Sequence, residues 1–140
     1  TSRVLPIDDK GGSIKLSSGT ELKFVPSHFM HSPGQFALYD TRAKILFTGD
    51  IGAAVFGDGD ETLFVEDFKA HVPLIQGFHT RYMANNSVVR KWCQLVSRLD
   101  PEMIAPQHGA IYKGRTVKEF LSWLSELRCG TDLLDQYFGA

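Results

Sequence analysis

The stretch AKILFTGD, residues 43–50, most constrains what this chain can become. Ile45, Leu46 and Phe47 follow one another without a polar break, where a strand with one wet face would alternate. An unbroken apolar run of this length is the mark of a strand buried on both faces. Such a strand needs a layer on each side, so the expected class is α/β or α+β in layers. The run ends in a carboxylate, Asp50, directly before the loop IGAAVFGDGDE, which has three glycines in eleven residues. A carboxylate placed after a buried strand is costly unless it meets a metal or a cluster of donors.

The rest of the chain supplies the layers. GGSIKLSSGTELKFV predicts two short strands around a Ser18-Gly19 turn, with Ile14 and Leu16 alternating and Leu22, Phe24 and Val25 following. QFALYD alternates, with Phe36 and Leu38 on one face, and TRAK turns the chain into residues 43–50. TLFVEDFKAHVPLIQGFHTRYM predicts helix in pieces, broken or kinked at Pro73. A helix capped by Asn86 or Ser87 then carries Val88, Trp92, Leu95, Val96 and Leu99 as its apolar stripe and stops at Asp100-Pro101. EMIAP is a short strand leading into QHGAIYKG. A last helix is expected from Thr116, with a Thr116–Glu119 capping box, a buried face of Val117, Phe120, Leu121, Leu124 and Leu127, and Gly130 as C-cap. Residues 1–140 read as a single segment without repeats or linkers.

Charge and cysteine usage narrow the function classes. The formal net charge is -1, with Lys and Arg scattered, so neither nucleic acid nor an acidic membrane surface is an expected partner. No apolar run approaches the roughly 18 residues of a membrane span. Cys93 and Cys129 form no CxxC, which points away from a disulfide framework or zinc ribbon and towards a reducing, cytoplasmic setting. Cys93 lies in an apolar helical pattern and reads as a buried, inert thiol. The start TSRVLPIDDK lacks an initiator Met and a signal peptide, which reads as a processed start or a fragment of something longer.

Three residues stand out by position. Asp50 ends the apolar strand, His108 follows a short strand and precedes a glycine, and His31 lies at a strand-to-turn junction before Pro33-Gly34. Strand ends are where a sheet delivers side chains to a site. A divalent transition metal takes neutral imidazole nitrogens with carboxylate oxygens, and one Asp can bridge two ions. Two metals need about six to eight ligands counting water. The five histidines (His28, His31, His71, His79 and His108) include no HxH and no HxxxH pair, so this chain alone offers only half a dinuclear site. An Asp after Gly also serves as a plain turn residue or cap, and a His before Gly as a structural histidine.

HSPGQFALYDTRAKILFTGD followed by RYMANNSVVRKWCQLVSRLDPEMIAPQHGAIYKG resembles the second half of a metallo-β-lactamase-fold domain, from about residue 12 onward. The RYMANN helix and PEMIAPQHG resemble the di-iron branch: flavodiiron proteins and oxygen-binding di-iron proteins. The resemblance implies one half of a four-layer αββα sandwich, a mixed sheet covered by helices. It implies His31 on the first metal, Asp50 bridging both and His108 on the second. His79 and Tyr82 fall where that branch places residues near its site, as supporting donors, pocket groups or core. His28 fits the motif less well and reads as a supporting or structural residue, and His71 as a surface or structural one. The branch's remaining ligands come from an HxExDH-type cluster in a first half that has no match here. The expected partner is therefore the N-terminal half of the same domain, as a separate or cleaved chain; the runner-up is a metal-free remnant.

Two irons, O2 binding or sensing, possible O2 reduction, and a head-to-tail homodimer are what the branch implies. No FMN site is read in this chain, which favours binding or sensing over rapid reductase turnover. The alternative carried by the wider superfamily is hydrolysis of a thioester, lactone or phosphodiester with two zinc ions activating water. A third reading is a metal-free interaction module. No catalytic residue is assigned.

Overall fold

A computed structural model describes residues 2–139. Six strands form one sheet in sequence order: β1 (Gly12–Lys15), β2 (Glu21–Pro26), β3 (Phe36–Asp40), β4 (Ile45–Gly49), β5 (Met103–Pro106) and β6 (Tyr112–Lys113). β1 to β4 are an antiparallel meander, β4 and β5 run parallel, and β6 returns antiparallel to β5. The parallel step requires a long crossover. It is made by α1 (Phe68–Tyr82) and α2 (Asn86–Leu99). After β6 come α3 (Arg115–Glu126), a 3₁₀ turn (Gly130–Leu133) and the short α4 (Leu134–Phe138). This is the mixed, helix-covered α/β sheet expected from the sequence.

All three long helices cover one face of the sheet. Val25, Ala37, Tyr39, Leu46, Ile104 and Tyr112 alternate onto that face and join Ile75, Val89, Trp92, Cys93, Val96, Phe120, Leu121 and Leu124 in a single core. Two buried hydrogen bonds tie helix to sheet side: Trp92 Nε1 donates to Ser27 Oγ at 2.8 Å, and Tyr39 Oη donates to the Leu99 carbonyl at 3.3 Å.

The opposite face is apolar, and no described helix covers it. Leu22, Phe24, Phe36, Leu38, Ile45, Met103 and Ala105 are half-buried there, and Phe47, in the middle of β4, is 47% exposed. β4 is thus buried on one face within this chain, not on both as its composition predicts. Phe36 and Leu38 do share a face, but the helix-covered parity of β3 belongs to Ala37 and Tyr39.

Several element ends differ from expectation. Helix α1 runs continuously through Pro73, although the proline removes the N–H donor to the carbonyl four residues back and sets its ring against that carbonyl. Asp67 caps it, with Oδ1 accepting from the Ala70 N–H. Asn85, not Asn86 or Ser87, caps α2 by accepting from the Val88 N–H at 3.1 Å. Asn86 instead donates to the carbonyls of Ser125 and Leu127 at 3.0 and 2.8 Å, closing the C-terminal end of α3. The buried stripe of α2 is accordingly Val89, Trp92, Cys93 and Val96. Helix α3 starts at Arg115 behind Gly114, and Thr116 turns its hydroxyl back onto Lys113, so no Thr116–Glu119 box forms. Gly130 caps no long helix: at φ +51° its Cα lies where a Cβ would meet the carbonyl oxygens of Met83 and Ala84. Cys93 and Cys129 are free and buried, and burial pushes the Cys93 thiol up to about 12.

The caps give a direct check. Asn85→Ala is expected to cost about 1 kcal/mol. Asn86→Ala, which orphans two carbonyls, should cost about 1–3 kcal/mol. Ser87→Ala should stay within about 0.5 kcal/mol. Urea unfolding of the three variants reads the order, and a large loss in Ser87→Ala would contradict the cap assignment.

Candidate metal centre

The site is assembled at one rim of the sheet by three loops. His31 lies in the β2–β3 loop, in the left-handed region at φ 52°, as does Phe29 at φ 63°. Two such residues within three positions fold the loop tightly; the Phe29 N–H donates to the Ser32 carbonyl and the Met30 N–H to that of Ser27. Asp50 follows β4, and His108 follows β5, the parallel neighbour of β4. The parallel pairing aligns both C-terminal ends, and the Gln107 N–H donates to the Gly49 carbonyl at 2.7 Å.

Asp50 stands between the two histidines. Its Oδ2 lies 2.9 Å from His31 Nε2 and its Oδ1 lies 3.8 Å from His108 Nε2. The side chains of Asp50 and His31 are about one-third exposed, and that of His108 is 68% exposed. The three residues singled out from the sequence are therefore brought together, with each imidazole on a different carboxylate oxygen. Among the described residues, no group of three or more His, Cys, Asp and Glu side chains is arranged to hold a metal ion by itself.

The donor chemistry nevertheless fits a divalent metal. Ligand atoms about 2.1 Å from one ion and at right angles to each other lie about 3.0 Å apart. The 2.9 Å His31–Asp50 spacing fits two donors on a common ion as well as a direct hydrogen bond, and His108 Nε2 lies 3.8 Å from the other carboxylate oxygen. Glycine makes the closure of the loops possible. Gly109, at φ +106°, leaves no room for a side chain: a Cβ there would lie 2.6 Å from the Ala54 nitrogen. The Ala54 N–H donates to the His108 carbonyl at 3.3 Å, so the Asp50 loop docks directly on the His108 loop.

Behind Asp50 the turn is held from several elements. Thr48 Oγ1 donates to the Ile51 carbonyl at 2.6 Å, and Gln35 Nε2 donates to the Thr48 carbonyl at 3.2 Å. Tyr112 Oη donates to the Gly52 carbonyl at 2.9 Å, while the Gly52 N–H donates to His79 Nε2 at 2.8 Å. His79 Nδ1 donates in turn to the Ile75 carbonyl at 2.7 Å. His79 is fully buried, and desolvation lowers its pKa to about 4, so it is neutral at pH 7. Thr48, Gln35, Gly52 and Tyr112 were not singled out from the sequence; only the glycine after Asp50 carried any signal of a close approach.

The other candidates separate. Tyr82 is 60% exposed, its ring centroid 6.3 Å from that of His31, and it packs on Phe78, which meets His31 edge-on at 5.7 Å. These two rings wall the His31 side of the site. His28 is not brought to it: His28 Nε2 donates to the Asp9 carbonyl at 2.6 Å and the ring meets Phe36 edge-on. His71 is buried against Phe56 and Tyr112, and burial lowers its pKa.

Comparison with known proteins now adds to this geometry. Residues 1–109 match the family model described as ODP family beta lactamase. The chain belongs to that family. A structure titled as the peroxy diiron species of the chemotaxis sensor ODP superposes with a TM-score of 0.91 at 64% identity, covering 96% of this chain and 57% of that one. The apo state of the chemotaxis sensor ODP from T. denticola gives 0.90 at 65%, covering 96% and 56%. A flavo di-iron protein from Thermotoga maritima shares the fold at a TM-score of 0.71 and 19% identity, covering 87% of this chain and 30% of that one. A curated relative, a putative diflavin flavoprotein A 3 from Synechocystis sp. (strain ATCC 27184 / PCC 6803 / Kazusa), is 30% identical over 121 residues, 81% of this chain and 19% of its own length. The ODP family member thus spans little more than half of the two ODP structures and less than a third of the flavo di-iron protein.

The buried histidines make folding pH-dependent. Unfolded, His79 takes a proton near pH 6.5; folded, near 4. Between those values the unfolded chain holds more protons, so stability falls as pH falls. The expected slope from His79 is about 1.4 kcal/mol per pH unit in that window, with His71 acting in the same direction. Chemical denaturation from pH 7 to 4 should show this slope, and His79→Gln should flatten it. An unchanged slope in the variant would locate the acid sensitivity elsewhere.

Proposed function

We propose that this chain is the C-terminal half of a non-haem di-iron domain that binds and senses O2. One observation carries the reading: His31 and His108 approach opposite oxygens of Asp50, the pattern that one carboxylate shared by two ions requires. The 64% identity to a chemotaxis sensor with a di-iron centre supports iron as the metal. Held by imidazole and carboxylate with open positions, ferrous iron supplies O2 binding. On this reading His31 serves the first ion, Asp50 both and His108 the second. The carboxylate offsets part of the cationic charge, and Phe78 and Tyr82 limit approach from the His31 side.

The remaining ligands are assigned to the N-terminal half of the domain. Supporting this are the uncovered apolar sheet face around Phe47 and Phe24, and the coverage of little more than half of each similar ODP structure. An isolated sheet with one open apolar face is an association hazard, which a second sheet relieves. The reading includes a homodimer in the cytoplasm; exposed Tyr82, Leu134, Tyr137 and Phe138 form an apolar face beside the site that a second copy can cover. No described helix is long and apolar enough to cross a membrane. FMN is not placed in this chain. O2 reduction is the activity of flavin-bearing relatives in the resemblance and is not assigned here. The zinc-hydrolase alternative has no support: beyond the family's beta-lactamase label, the similar proteins named above are di-iron or flavin proteins.

Elemental analysis of the complete domain tests the reading, with about two irons per domain expected. Asp50→Ala should empty both positions, because one carboxylate serves both ions. His28→Ala should leave the metal content unchanged. Two zinc ions in the parent domain, or full metal retention in Asp50→Ala, would overturn the assignment.

A further inference from the structure

We propose that His79 is a positioning residue for the metal centre: by holding the Gly52 backbone it fixes the direction in which the Asp50 carboxylate is presented to His31 and His108. The proposal rests on the reading of Asp50 as a metal ligand. His79 itself touches none of the three.

The hydrogen-bond directions leave its chemistry little freedom. The Ile75 carbonyl can only accept, so His79 Nδ1 carries the proton and donates along its own helix. Nε2 then presents a lone pair, and the Gly52 N–H donates to it. Gly52 is two residues beyond Asp50, on the only backbone that connects the carboxylate to the buried loop. Its other polar group is held as well, by the Tyr112 hydroxyl. The turn requires glycine at this point, since at φ +97° a Cβ on Gly52 would lie 2.9 Å from the Tyr112 ring.

Packing alone does not account for a histidine here. The ring lies among Phe78, Phe120 and Trp123, at centroid separations of 5.2, 6.0 and 5.8 Å in edge-on arrangements. A phenylalanine would suit those neighbours without the desolvation that burying an imidazole incurs. What a phenylalanine lacks is the acceptor for Gly52. Groups hydrogen-bonded directly to metal ligands contribute roughly 10–100-fold to metal affinity; His79 acts one step further back, through the Gly52 backbone, which puts its effect at about 10-fold.

The test uses the complete domain, loaded anaerobically with ferrous iron in competition with a chelator. His79→Phe should keep the parent far-UV circular dichroism yet lower iron affinity about 10-fold. His79→Gln, whose amide oxygen can accept from the Gly52 N–H, should recover most of that loss. Val96→Ala, a core truncation distant from the turn, should lower stability and leave iron affinity unchanged. Parent-like iron affinity in His79→Phe would overturn the proposal. So would a Gln variant no better than the Phe variant, or an equal affinity loss in Val96→Ala. If His79→Phe does not fold, Tyr112→Phe, which removes only the donor to the Gly52 carbonyl, should weaken iron binding several-fold, and parent-like affinity there overturns it. Asp50→Asn separates the two layers: if it retains both irons, the ligand reading itself fails; if it loses them while His79→Phe retains them, only the role of His79 fails.

Discussion

The turn Asp50-Ile51-Gly52 has to be rigid for anything at this rim to have a defined geometry, and the surrounding fold is arranged so that it is. Ile51 is bound through its carbonyl to Thr48 within the same turn. Gly52 is bound through its N–H to α1 and through its carbonyl to β6. Gly49 is bound to the β5–β6 loop by the Gln107 N–H. Those partners sit in turn on α3, since Tyr112 stacks on Phe120 at 4.4 Å and His79 meets both Phe120 and Trp123 edge-on. A carboxylate on a free loop would follow whichever cation reached it. Here it inherits its direction from the core, and changes in the core must reach it through a few hydrogen bonds of about 1 kcal/mol each.

The two faces of the sheet follow from the same strand. Leu46 and Thr48 point into the helical layer and are fully buried, while Ile45 and Phe47 point away from it into a face that no described element covers. β4 is apolar on both sides, although only one side is covered by the described elements. A strand with a single covered face has no reason to place Phe between Leu and Thr. The composition of residues 45–48 is thus more apolar than the covering by the described helices alone requires.

Much of the site was legible because strand ends are easy to place. The unbroken run to Asp50, the Pro-Gly after His31 and the glycine after His108 each mark a junction, and residues at junctions at the same sheet rim tend to converge. Element ends were less legible, because near-equivalent polar residues compete. Asn85, Asn86 and Ser87 can all cap, and the choice is made by Asn86 being drawn to the end of α3, 39 residues on. Thr116 likewise prefers Lys113 to the N-terminus of its own helix. Gly130 looked like a helix cap and is a close-packing residue against Met83 and Ala84. Strand β6 is too short to show any alternation. For Asn86 and Gly130 the deciding contact is distant in sequence, so no local pattern could carry it.

If the ligands of one dinuclear centre are divided between two halves of a sandwich, metal binding and assembly of the halves become one equilibrium. The ions would bind the assembled state and scarcely bind either half alone, so each would stabilise the apolar interface between the sheets by mass action. The reverse holds too: burial of Phe47 and its neighbours against the second sheet would raise the affinity of the centre by bringing the remaining ligands within reach. His31, Asp50 and His108 are already close together in this chain, within 4 Å through Asp50, and the Gly52 backbone behind Asp50 is held at both its N–H and its carbonyl. The ordering cost of this part of the site is then met when the half folds, before any ion arrives. Such pre-organisation leaves metal and ligand affinity governed by the second half, whose own residues decide how open the coordination remains.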